Sequence, residues 1–211
     1  QANQLVSDKT SLNYQQQFRQ LGMLLNNRLD VSEWKELYAK LVYWELQLDK
    51  IEDSGMSEIF EMQKKEANQQ FAGFIEDNYL NWLNGIDDGP LFIHNLIKER
   101  IFNRESNAKT LVLIIDNLRY DQWKVLEPVF TKYFVKQKEE IVFSILPTAT
   151  QYARNAFFAG LMPSEIARKH PQYWKNEEDE GSKNIFEKEL LELNLKRLGK
   201  SALRYSYNKI T

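Results

Sequence analysis

The sequence predicts an α/β protein in two parts. Residues 1–106 should form an N-terminal all-α helical bundle, and residues 107–211 the first part of a parallel α/β sheet, left incomplete. Three observations carry this. Apolar residues recur every three or four positions up to about residue 106. Two short β-rich runs, Thr110–Ile115 and Glu140–Leu146, follow. A helical pattern comes after each run, giving the strand–helix–strand–helix order of an α/β sheet.

In the first part, Phe18, Leu21, Leu24 and Leu25 share one helical face. After Asp30-Val31-Ser32-Glu33 the rhythm continues through Trp34, Leu37, Leu41, Trp44, Leu48 and Ile51. Asp30 or Ser32 is a fitting N-cap, with an acidic residue in the first turn. Asp53-Ser54-Gly55 looks like a break, and a third stripe runs from Ile59 through Phe60, Phe71 and Phe74 to Trp82. Gly85 and Gly89-Pro90 punctuate its end, and Leu91–Phe102 predicts a short closing helix. An aromatic stripe could line a ligand box, but at helical spacing it reads as core.

The pattern changes near Arg104-Glu105-Ser106-Asn107. Thr110–Ile115 is apolar on both faces, as in a strand covered on both sides. Tyr120–Phe134 predicts a helix with Pro128 at a boundary or kink. Glu140–Leu146, closed by Pro147, is the second expected strand. Thr150–Leu161 predicts a helix ended by Gly160 and Pro163, and Ile185–Leu198 another, stopped by Gly199. Ser201–Tyr207 is where a third strand could start.

Composition narrows the function. The 211 residues carry 28 basic and 30 acidic side chains, a formal net charge of -2. Bulk charge therefore does not hold this chain to nucleic acid or anionic lipid. Cysteine is absent, which excludes disulfides, thiol catalysis and Cys-ligated metal. Leu111–Ile115, the longest apolar run, is far short of the about 20 residues a membrane helix needs. No basic start followed by an apolar stretch marks a signal peptide. Gln1 and not Met opens the chain, and we read it as part of a longer cytoplasmic protein.

In an open α/β sheet, ligands gather at the carboxyl ends of the strands. Asp116 and the turn Pro147-Thr148-Ala149-Thr150 would sit there. Asp116 could equally cap the following helix or pair with Arg119 as bind a metal. Thr148 or Thr150 could equally be an N-cap as a hydroxyl beside the free N–H groups that favour phosphate. A threonine hydroxyl is a poor nucleophile near neutral pH unless a metal or base lowers its effective pKa. Spacing alone does not choose.

Leu111-Val112-Leu113-Ile114-Ile115-Asp116 resembles the first metal-binding strand of the alkaline phosphatase superfamily. Leu146-Pro147-Thr148-Ala149-Thr150, with Asn155, Gly160-Leu161 and Pro163, resembles its nucleophile segment. Nucleotide pyrophosphatase/phosphodiesterases there carry a Pro-Thr-x-Thr turn and a Gly-Leu-x-Pro closure. The Asp-x-x-Arg-Tyr-Asp-x-Trp pattern, Asp116 to Trp123, is similar to that of the PglZ domain. With Lys40–Leu46, Gln63–Asn68 and Asn78–Trp82, nearly the whole chain resembles PorX-type response regulators of Bacteroidetes. In these a receiver domain precedes a helical bundle and a PglZ domain.

The resemblance implies an alkaline-phosphatase-like sheet and a two-zinc site that cleaves phosphodiesters, acting on cyclic and linear oligonucleotides. It places the nucleophile on Thr150 and makes Asp116 and Thr150 metal ligands. Asn155 or Arg154 would hold a non-bridging phosphate oxygen, with helix packing the alternative for both. Arg119 and Asp121 read as a structural pair. The resemblance also implies a homodimer, a sensor histidine kinase and a transcription factor as partners, no membrane, and control of gliding motility and type IX secretion.

Two departures stand out. The family's further Asp and His ligands are not evident, because the chain has only His94 and His170. Neither is placed as a ligand by the motifs, and Asp116 with Thr150 cannot hold two zinc ions. The receiver domain is also not in this chain. The expectation is an active parent protein and an inactive chain on its own. The alternative is a non-catalytic signalling scaffold for dimerisation or transcription-factor binding, its bundle rich in aromatic residues. Glu177–Gly181 reads as a solvated loop, or else as a mobile flap.

Overall fold

The computed structural model describes residues 2–50, 54–102 and 109–210, with side chains for 14–50, 55–102 and 109–210. The chain divides into two compact units, Gln1–Gly89 with Leu118–Glu139, and Pro90–Asn117 with Glu140–Thr211. The predicted pattern change at Arg104–Asn107, the end of the second stripe at Ile51 and the start of the break at Asp53 lie outside the described residues. No helix among the described residues is long and apolar enough to cross a membrane.

The described N-terminal residues are helical, as the spacing predicts; Leu118–Glu139, which the sequence placed in the second part, joins them in the first unit. That unit contains α1 (Ala2–Leu25), α2 (Val31–Leu48) and α3 (Ser54–Leu83), and α4 (Tyr120–Phe130) packs against α2. Asp30 starts α2 as the sequence suggests. Its carboxylate accepts from the Glu33 N–H at 2.8 Å, and Glu33 in turn accepts from the Asp30 N–H at 2.8 Å. This reciprocal box satisfies two otherwise unpaired donors.

Tyr14, Phe18, Leu21 and Leu25 on α1 meet Trp34, Leu37, Trp44 and Leu48 on α2 and Phe60 and Ala67 on α3. Their rings pack edge-on or tilted, as in Tyr14–Trp44 at 5.1 Å and Trp34–Phe71 at 5.2 Å, which suits aromatic quadrupoles. The aromatic stripe is core. On α4, Pro128 lies in the last turn, and the helix ends at Phe130, short of the predicted Phe134.

The second unit corrects the predicted α/β sheet. Among the described residues there is no strand; the one ladder contact is an isolated parallel bridge between Phe92 and Phe143. It is made by the Ile93 N–H donating to Phe143 O at 2.9 Å and the Phe143 N–H to Leu91 O at 3.1 Å. Thr110–Ile115, Glu140–Leu146 and Ser201–Tyr207 are extended or irregular segments. Leu111 is 89% exposed and Leu113 63%, the opposite of a strand covered on both faces. A β-rich run records a residue preference, but a strand exists only where neighbouring backbones accept from its N–H groups and donate to its C=O groups. Among the described residues no ladder forms along Thr110–Ile115.

The helices of this unit are α5 (Thr150–Ala159), α6 (Pro163–Lys169) and α7 (Glu187–Arg197). The predicted closing helix over Leu91–Phe102 divides into a 3-10 turn at Ile93–Asn95 and a π-helical turn at Ile97–Phe102. Ile97, Phe157, Phe158, Ile166 and Leu190 form the apolar cluster, and α5 packs chiefly on α7.

Gly160 ends α5 as predicted, with a left-handed φ of 60°. A Cβ there would come within 2.5 Å of Arg197 Nη2 and 2.7 Å of Asn194 Oδ1, so both conformation and space demand glycine. Arg197 Nη2 donates to the Ala159 and Gly160 carbonyls at 2.9 and 2.7 Å, and Asn194 Nδ2 to Phe158 O at 3.0 Å. The orphan carbonyls at the end of α5 are thereby satisfied by α7.

Candidate functional site

Helix α5 carries most of the candidate residues. Ala149 takes its cap position, and no side-chain bond caps the helix there. Thr150 is the first helical residue and is exposed. Its hydroxyl therefore opens onto solvent at the end of the helix where free N–H groups favour an anion.

One turn on, Arg154 shares a helix face with Thr150. Its Nη1 lies 3.1 Å from Asp116 Oδ2, and its Nη2 pairs with Glu187 Oε1. The first bridge brings Asp116 to the flank of α5 that begins with Thr150. Asp116 opens a tight turn in which Asn117 adopts a φ of 59°, a conformation asparagine tolerates better than most residues. Its carboxylate is 39% exposed. Arg119 forms the expected pair with Asp121, forked at 3.0 and 2.7 Å, and Asp116 pairs with Arg154 rather than with Arg119.

Asn155 is buried beneath the site. Its amide nitrogen donates to Lys183 O at 3.1 Å, and its oxygen accepts from Asn184 Nδ2 at 3.0 Å. Asn184 Nδ2 also lies 3.3 Å from Thr150 O. These bonds tie the segment before α7 to the first turn of α5.

Glu187 was not singled out by sequence reasoning. Its side chain is 2% exposed, and its Oε2 accepts from the Tyr207 hydroxyl at 2.7 Å, with Lys209 Nζ at 3.5 Å. Burial first, then the Glu187 carboxylate, pushes the Tyr207 hydroxyl up to about 12. A signal was present: Glu187 falls in register with Leu190 and Asn194 on the buried stripe of α7. A carboxylate on an apolar stripe needs a partner. Tyr207, Lys209 and Asn184 gave no such signal.

Asp116 and Thr150 are oxygen donors suited to a metal, and both are reachable from solvent. Among the described residues, however, no three His, Cys, Asp or Glu side chains form a metal-binding group. Catalytic zinc takes three protein ligands as a rule, so these two residues do not make a two-zinc centre by themselves. His94 stacks on Phe92 at 6.0 Å, and burial lowers its pKa. His170 ends α6.

Residues 4–83 match the family model of the PorX response regulator linker domain. Residues 92–210 match that of the BREX system PglZ alkaline phosphatase-like domain. No curated protein matches the chain. Alkaline-phosphatase-like domains are hydrolases that usually bind metal. The second match spans more than half of the sequence and contains Asp116, Thr150, Arg154 and Glu187, and the chain accordingly belongs to the PglZ family, with a PorX-type linker domain ahead of it.

Proposed function

We propose that this chain carries part of the catalytic domain of a zinc-dependent phosphodiesterase, the effector of a two-component response regulator. The carrying observation is the PglZ match over residues 92–210, with Thr150 exposed at the start of α5 and Asp116 tied to the same flank through Arg154. Thr150 is the nucleophile, and Asp116 and Thr150 are metal ligands. The remaining ligands come from residues not gathered here. Zinc would supply what the hydroxyl lacks near neutral pH, a lowered effective pKa.

In the first step Thr150 Oγ bonds to phosphorus and releases its proton to solvent. The bond from phosphorus to the leaving oxygen breaks, and that oxygen takes up a proton. Water then cleaves the Thr150 phosphodiester and restores the hydroxyl. The guanidinium of Arg154 faces a non-bridging oxygen throughout, and Asn155 ties the supporting segment. Cyclic and linear oligonucleotides are the substrates that the PorX-type resemblance favours. It also favours a cytoplasmic homodimer with a receiver domain ahead of the bundle. This protein would answer to a sensor histidine kinase, act with a transcription factor, and govern gliding motility and type IX secretion.

The test uses the full-length protein and bis(p-nitrophenyl) phosphate. Thr150→Ala should lower turnover on the order of a thousandfold or more with the fold intact. Metal analysis should find about two zinc ions per chain, fewer after Asp116→Asn. Unchanged turnover in Thr150→Ala would remove the nucleophile assignment. A protein without stoichiometric zinc, whose partner contacts survive Asp116→Asn, would be a scaffold instead.

A further inference from the structure

Glu187 is a buried carboxylate placed where an apolar side chain would serve packing better. One oxygen meets Arg154 Nη2, and the other is fixed by the Tyr207 hydroxyl at 2.7 Å. A buried carboxylate is retained at a cost unless its partners compensate. Its closest cationic partner is Arg154, because Lys209 Nζ stands 3.5 Å from the outer oxygen.

Arg154 is held at both ends of its fork. Nη1 faces Asp116 at 3.1 Å and Nη2 forms an ion pair with Glu187 Oε1; among the described residues neither Nε nor Glu187 Oε1 makes a hydrogen bond. The Asp116 contact is the weaker anchor, since that carboxylate is 39% exposed whereas Glu187 is 2% exposed; exposed pairs are screened and worth little. Once Asp116 is engaged elsewhere, Glu187 alone keeps the long Arg154 side chain from sampling other rotamers.

We infer that Glu187 is a positioning residue: it fixes the guanidinium of Arg154 so that one amino group stays aimed at the Asp116 side of the site, where a phosphodiester is gripped. This inference rests on the proposed roles of Thr150 and Asp116. It adds that the grip depends on a carboxylate contributed by α7 and locked in turn by Tyr207.

The experiment measures KM and kcat for bis(p-nitrophenyl) phosphate in the full-length protein, and inorganic phosphate binding by calorimetry. Glu187→Gln should raise KM and weaken phosphate binding roughly tenfold each, with kcat and zinc content changing less. Arg154→Ala should do the same, and adding Glu187→Gln to it should change KM no further. Tyr207→Phe, which keeps the carboxylate but frees it, should shift KM in the same direction by a smaller factor. It decides the matter should Glu187→Gln fail to fold.

Unchanged KM and phosphate binding in folded Glu187→Gln, or in Tyr207→Phe where that variant decides, overturns the inference. So do effects that multiply fully with Arg154→Ala. If Thr150→Ala abolishes turnover while the Glu187 variants stay flat, only the inference fails. If Thr150→Ala retains turnover, the reading beneath it fails as well.

Discussion

Interlocking rings hold the linker bundle together, whereas the unit carrying Thr150 adds a chain of buried amides and charges to its apolar cluster. In the bundle, Tyr14, Phe18, Trp34, Trp44 and Phe60 are all buried. In the second unit the buried set includes Asn155, Asn184, Glu187 and Asn194 beside Phe157, Phe158 and Leu190. Apolar packing is non-directional and tolerates repacking. A buried polar network fixes geometry instead, because each member left unpaired is costly. The unit proposed to do chemistry is the one whose buried set includes these polar side chains.

Substitutions can break this contrast. Phe60→Ala should have the largest effect, lowering stability by about 3–5 kcal/mol in thermal or denaturant unfolding of the bundle. A loss well under 1 kcal/mol would show that the rings are not the main support. Gly160→Ala should cost roughly 1–3 kcal/mol, since a left-handed residue gains a Cβ facing Arg197 and Asn194. An unchanged midpoint would mean that α7 does not cap α5. Asp30→Ala should cost about 1 kcal/mol through loss of the capping box, while Asp30→Asn or Asp30→Ser should largely restore it.

A further effect appears only in acid. Burial pulls Glu139 up, but bonds from Tyr120, Trp123 and Lys124 outweigh it and bring Glu139 down to about 2 from an ordinary 4.5. A carboxylate with a depressed folded-state pKa stabilises the protein fully above the ordinary value, and that contribution is lost as pH falls from 4.5 toward 2. Glu139→Gln should therefore flatten the stability of the first unit over that interval and leave the slope near neutral pH alone. An identical acid profile in the variant would contradict the assignment.

The same contrast explains what the sequence could disclose. The stripes of the bundle, the Asp30 start and the Gly160 stop are local signals, written within a few residues of the structure they produce. The start of α5 at Thr150 was legible in the Pro147–Thr150 turn that precedes a helical run. Thr110–Ile115 was misread because an apolar β-branched run states a preference for burial and says nothing of which backbone will pair with it. Leu91–Phe102 kept its helical period but not its α geometry. The Arg154–Glu187–Tyr207 chain joins residues far apart in sequence. Only the odd place of Glu187 on an apolar stripe hinted at it.

The central claim is that Thr150 attacks phosphorus. The most direct measurement is an acid quench of the full-length protein during turnover of a phosphodiester, followed by mass spectrometric mapping of the covalent adduct. The account predicts a phosphoester on Thr150, absent from Thr150→Ala, which no longer turns over. An adduct on Thr148 or another residue, or continued turnover in Thr150→Ala, would contradict it.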